Sequence, residues 1–225
     1  MNFIYFSGVV SLTIQVITAL FQAYVIKLPT PPSFYLINEL LIIDFIVQVV
    51  EAIFYIWLIT NFKTIKDVTH FRYYDWVITT PTMLITFIFY LMFLKERENG
   101  IEIKTIMTKL KENWQLILKV SLLDWLMLLC GYLGEIHIFS FVSTTIAGFI
   151  PFFLMFYLIY VNVASYSKTG RRLFWYFSIV WAIYGVAAVL PYRIKNTMYN
   201  ILDLFAKNFF GVFLAYVLYN ARNNI

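Results

Sequence analysis

Charge is scarce in this sequence. Only 13% of its 225 residues are charged, against 62% hydrophobic and 20% aromatic. At a mean hydropathy of +0.78, a soluble domain of this length would expose too much apolar surface. The composition therefore excludes a soluble domain and points to an integral membrane protein. Cysteine is scarcer still: the single Cys130 rules out a disulfide within the chain. There is no internal repeat, no low-complexity tract, and no set of residues that reads as a metal site or as an enzyme's catalytic group. The opening residues, MNFIYFSGVV, lack a basic n-region, and their apolar run is too long for a cleaved leader. They read as a first membrane span.

What is present is a series of long apolar runs. A spanning helix needs roughly 20 apolar residues. Seven stretches qualify, at about 3–26, 34–60, 71–94, 114–134, 138–164, 172–191 and 198–219. They predict an all-α membrane protein, a seven-transmembrane-helix bundle forming one domain over 1–225. Lys27, the 95–119 connection, Lys168, Arg171, Arg172 and Arg222 put most loop cations on one side. Lys63, Lys66, Arg193 and Lys195 lie on the other. The imbalance predicts an N-terminus outside and a C-terminus in the cytoplasm. The net charge of +5 is explained by basic loops beside anionic lipid, and no nucleic acid is needed. One connection, KERENGIEIKTIMTKLKEN at 95–113, is long and polar. Ile103, Ile106 and Leu110 recur in it at helical spacing. Residues 101–112 thus read either as an amphipathic helix on the membrane interface or as an extension of the fourth helix.

Ionisable residues inside spans mark function or pairing by default. The second stretch carries Glu39, Asp44 and Glu51, the third Arg72 and Asp75, the fourth Asp124, and the seventh Asp203 and Lys207. In LDLFAKNFFG, Asp203 and Lys207 are four apart and share a helix face. A desolvated lysine amine is a good nucleophile toward an aldehyde, although a plain ion pair would also account for the two residues. In RYYDWVITTP, Asp75 and Thr79 share a face, Thr80 adjoins it, and Arg72 lies one turn away. Two aspartates and an arginine around Lys207 suit a cation that must stay charged while buried, and a protonated Schiff base fits.

These two segments resemble the third- and seventh-helix signatures of the microbial (type 1) rhodopsins. The resemblance covers all seven spans and is weakest in the first and fifth. It implies all-trans retinal bound covalently to Lys207, with Asp75 and Asp203 as counterions and Arg72 organising water on the outer side. Trp76, Trp181 and Tyr184 match the residues that flank the chromophore, and Asp124, Met127 and Gly131 fall at the pocket spacing of the fourth helix. Thr80 and Asp124 would form an interhelical pair. The family's proline after the tyrosine is Gly185 here, and a second pocket tryptophan is Ala188.

Departures from the family's pumps point to the activity. The inner proton donor of a pump falls on Thr86, so the motif reads Asp75–Thr79–Thr86. A hydroxyl reprotonates a Schiff base poorly near neutral pH. Asp44, Gln48 and Glu51 lie on one stripe of the second helix, and an acidic row of this kind attracts cations. Channelrhodopsins are similar: an acidic second helix, one glutamate facing the lysine, and an asparagine directly after it. Those are Glu51 and Asn208 here, with Ser11 as the candidate third member of the constriction and Glu39 as a further residue of the path.

The compact chain is most similar to the first group of viral rhodopsins from large DNA viruses. That resemblance implies a light-gated channel for monovalent cations such as Na+, K+ and H+, in a membrane of the infected host cell. Calcium is a candidate permeant ion or blocker, and oligomers are compatible with the lipid-facing surfaces. Two alternatives stand: a sensory rhodopsin signalling to a partner, and a weak light-driven proton pump.

Overall fold

The computed structural model describes residues 2–223; Met1, Asn224 and Ile225 of the expected 1–225 domain lie outside it. Its helices are α1 (Phe3–Ile26), α2 (Tyr35–Asn61), α3 (Arg72–Glu98), α4 (Ile106–Glu135), α5 (Phe141–Asn162), α6 (Lys168–Ala188), α7 (Tyr192–Asp203) and α8 (Phe209–Asn223). A π-helical turn, Leu204–Asn208, joins α7 to α8. With that turn the last two helices make one span, so the described chain is a seven-helix membrane bundle.

Successive helices pack against one another, and α1 closes the ring by packing on α2, α7 and α8. α3 is the central helix. Every residue from Thr86 to Leu94 is buried, so this half has no lipid-facing stripe. The other helices turn residues such as Ile17, Leu20, Ile53, Ile146 and Phe153 outward, where lipid replaces water. Among the described residues, six helical segments are long and apolar enough to cross a membrane by length and composition. α6 falls outside that set because it opens on KTGRR, and its apolar part is shorter.

Local chemistry fixes the ends. Asn2, Thr105 and Ser167 each accept a hydrogen bond from a backbone N–H in the first turn of the helix they precede. The seventh span becomes helical at Tyr192, well before its apolar run at 198. The reason is that its first polar residues face inward: Lys195 lies 2.8 Å from Glu135 of α4, and both are buried. Residues 101–105 of the long connection are not helical. The helix begins at Ile106 and is interrupted at Asn113, with φ −118° and ψ 16°. Within that first piece Lys109 is buried and pairs with Glu96 of α3 rather than facing outward.

Pro81 lies inside α3 and cannot donate to the carbonyl of Val77. An unpaired carbonyl in hydrocarbon is costly. The indole Nε1 of Trp125, from α4, donates to it instead at 3.0 Å. Trp125→Phe should therefore lower the unfolding free energy in mild detergent by about 1–3 kcal/mol. Restoring the missing N–H with Pro81→Ala should remove much of that penalty. An equal loss in both backgrounds would show that the indole does not serve the carbonyl.

Candidate functional site

Lys207 sits in the π turn. The turn leaves Ala206, Lys207 and Asn208 all buried in succession. Its ammonium faces three carboxylates from three elements. Asp75 Oδ2 of α3 lies at 3.0 Å, Glu51 Oε1 of α2 at 3.2 Å and Asp203 Oδ1 of α7 at 3.7 Å. All four side chains are at most 2% exposed. Opposite charge compensates burial only when the partners are this close.

Asp203 is held from both sides. Tyr55 donates to Oδ2 at 2.6 Å and Tyr184 to Oδ1 at 2.8 Å. Arg72 Nη1 stands 3.6 Å from Oδ2. The rest of its guanidinium is taken by α7: Nε donates to Asn196 Oδ1 at 3.0 Å, and Nη2 donates to Asn200. Asn200 also donates to Ser7 Oγ and the Ile4 carbonyl of α1. The arginine is thereby tied to two other elements, and the rings of Phe54 and Tyr199 flank it at 5.6 Å. Two cations face three carboxylates, so the cluster is neutral only when one carboxyl carries a proton.

Beside the amine opens an apolar cavity, which Lys207 itself lines. Trp76, Thr80, Met127, Gly131, Trp181 and Tyr184 line it. Thr80 Oγ1 is 2.7 Å from Asp124 Oδ2, which stands behind it. Thr79 instead caps the backbone of its own helix, at the Asp75 carbonyl. Gly185 and Ala188 also face the cavity, and the Phe149 ring closes on Gly185 so tightly that a Cβ there would sit 2.5 Å from it. The α5 wall, including Gly148, Phe149 and Phe152, went unread in the sequence. A long apolar slot flanked by indoles, ending on an amine among carboxylates, fits a polyene aldehyde such as retinal.

A second feature runs along α1, α2 and α8. Asp44, Gln48 and Glu51 of α2 are buried on one stripe, as expected. Facing them on α1 are Ser11, Gln15, Thr18 and Gln22, also buried. Their spacing of four, three and four was a legible signal that the weak resemblance in this helix obscured. Among the described residues, the side-chain amides of Gln15, Gln48 and Asn208 are buried without a hydrogen-bond partner.

Two expected path residues are elsewhere. Glu39 is exposed, because five residues before Asp44 is the wrong face of a helix. Ser11 is not beside Asn208; its hydroxyl donates to the Asn200 carbonyl at 2.6 Å, nearer the start of the seventh span. Gln22 meets Gly211 at the same 189-residue offset. That register puts Thr18, not Ser11, at the level of Lys207 and Asn208.

The family model described as "Bacteriorhodopsin-like protein" matches residues 2–221. The chain belongs to this family. It is a retinal-protein photoreceptor of the microbial rhodopsin type, not an enzyme, and it works in a membrane in light-driven ion transport. The structure is similar to that of the viral rhodopsin OLPVRII, with a TM-score of 0.80, 25% identity, and coverage of 94% of this chain and 95% of that one. It is also similar to a blue light-absorbing proteorhodopsin from Med12, with a TM-score of 0.77, 20% identity and 99% of both chains covered. A thermophilic rhodopsin from Rubrobacter xylanophilus gives a TM-score of 0.75 at 17% identity over 96% of each chain. None of the curated protein sequences matches the chain. Adding retinal to Lys207→Ala protein should give no visible absorption band; a pigment that survives would place the chromophore on another residue.

Proposed function

We propose that this bacteriorhodopsin-like protein is a light-gated cation channel, with all-trans retinal on Lys207 and a path between α1, α2, α3 and the seventh span. The observation that carries this reading is the row of buried amides without partners. Burying a side-chain amide unpaired costs about 1–3 kcal/mol by protein measurements. Gln15, Gln48 and Asn208 present several such atoms together, beside Glu51 and Asp44. Water entering the row would accept from their N–H groups, and a cation passing with that water would be held by their oxygens.

The bound chromophore supplies light absorption and a change of shape at the lysine. The protein's residues do the rest. Asp75, whose Oδ2 is 3.0 Å from Nζ, is placed to take its proton. Loss of that charge frees Glu51 from its 3.2 Å contact with Nζ and weakens the hold on Asp203 and Arg72. Glu51 then leaves the amine, and the amide row becomes continuous with the polar cluster around Arg72. Thr86, whose hydroxyl is spent on the Thr82 carbonyl at 2.9 Å, offers no carboxyl for fast return of the proton from the other side. The loop cations support an N-terminus outside and a C-terminus in the cytoplasm, and the likeness to a viral rhodopsin supports a host-cell membrane.

The intact Asp75–Lys207 contact favours a second reading, a weak outward proton pump. Whole-cell photocurrent against voltage separates the two. A channel gives a current that reverses with the sodium or potassium gradient, and a pump gives one that stays outward through zero voltage. In a channel, Glu51→Gln should shift the ratio of sodium to proton current. Asp124→Asn should change the closing rate by about tenfold, the effect of roughly 1.4 kcal/mol on a barrier. Unchanged closing would remove the Thr80–Asp124 pair from the gate.

A further inference from the structure

One contact lies beyond the amide row, a turn past Lys207. Gln22 of α1 donates through Nε2 to Asp44 Oδ2 of α2 at 2.6 Å, and all the groups involved are buried. The third side is Gly211 of α8, itself buried. A Cβ at that position would collide with both Gln22 Nε2 and Asp44 Oδ2, and would lie 3.2 Å from Gln22 Cδ. Three elements therefore meet at one point, and the absent side chain of Gly211 is the space between them. Gln22 Oε1 is left without a donor, and no salt bridge neutralises Asp44 among the described residues.

We propose that Gly211, Gln22 and Asp44 form the inner constriction of the path, with Gly211 setting its bore and the Gln22–Asp44 hydrogen bond as its closed latch. This inference rests on the channel reading. An ion leaving the level of Asn208 toward the C-terminal end must pass between Gln22 and Asp44, since α1, α2 and α8 close around that point. When the latch parts, the carboxylate and Gln22 Oε1 offer two oxygens to a cation that has shed part of its water. A bore set by a missing Cβ admits small monovalent ions and rejects organic ones. Its opening is tied to the amine because Gly211 lies in the first turn of α8, next to the π turn on the same span.

The test is photocurrent per unit of visible pigment in the full chain, with sodium or N-methylglucamine as the external cation. Gly211→Ala should lower sodium current roughly tenfold while the absorption band stays in place. Gln22→Ala should widen the bore and raise N-methylglucamine permeability relative to sodium. Wild-type sodium current in Gly211→Ala overturns the proposal, as does wild-type size preference in Gln22→Ala. The second result decides alone if Gly211→Ala forms no pigment. Absence of photocurrent in the unmodified protein is a different failure, and it would overturn the channel reading itself.

Discussion

The buried ammonium of Lys207 is the constraint from which the rest of the structure follows. In a bundle with lipid outside, it cannot reach water and must be compensated where it stands. Glu51, Asp75 and Asp203 do this from α2, α3 and α7, all within 3.7 Å. Their excess negative charge then calls for Arg72, and Arg72 calls for Asn196 and Asn200 to hold its remaining donors. Each polar residue of this cluster is thus present because of another. The chain of dependence ends at the Ser7 hydroxyl and Ile4 carbonyl of α1, so the cluster also fixes how the first helix packs.

The same cluster separates two halves of different character. Toward α4, α5 and α6 the amine faces an apolar slot walled by rings, suited to holding a rigid polyene. Toward α1, α2 and α8 it faces amides and carboxylates, suited to water and ions. Lys207 joins the two, so an event in the slot reaches the polar side by moving one charge. The π turn makes this arrangement fit in a single span. It keeps Lys207 and Asn208 buried side by side.

Much of this could be read from the sequence, for a physical reason. Charges in a span are so costly that each one seen in the sequence is informative, and Arg72, Asp75, Asp203 and Lys207 were found that way. The pocket residues of α3, α4 and α6 followed from their register with those charges. Ser11 was misplaced because Ser11, Gln15, Thr18 and Gln22 are uncharged and periodic, and the helix alone does not say which of them faces the lysine. Only the parallel register of α1 with the seventh span, set by Ser11 on Asn200 and Gln22 near Gly211, does so. The early start of the seventh span was hidden for a related reason. Lys195 and Asn196 look like loop residues until Glu135 and Arg72, both distant in sequence, are brought beside them.

Whether the buried amine carries the chromophore can be measured directly. Retinal can be added to the purified protein, the linkage reduced with borohydride, and the peptides analysed by mass spectrometry. A retinyl adduct on the peptide that contains Lys207, and on no other, is the result predicted. An adduct on another lysine, or none under conditions that colour the protein, would contradict it.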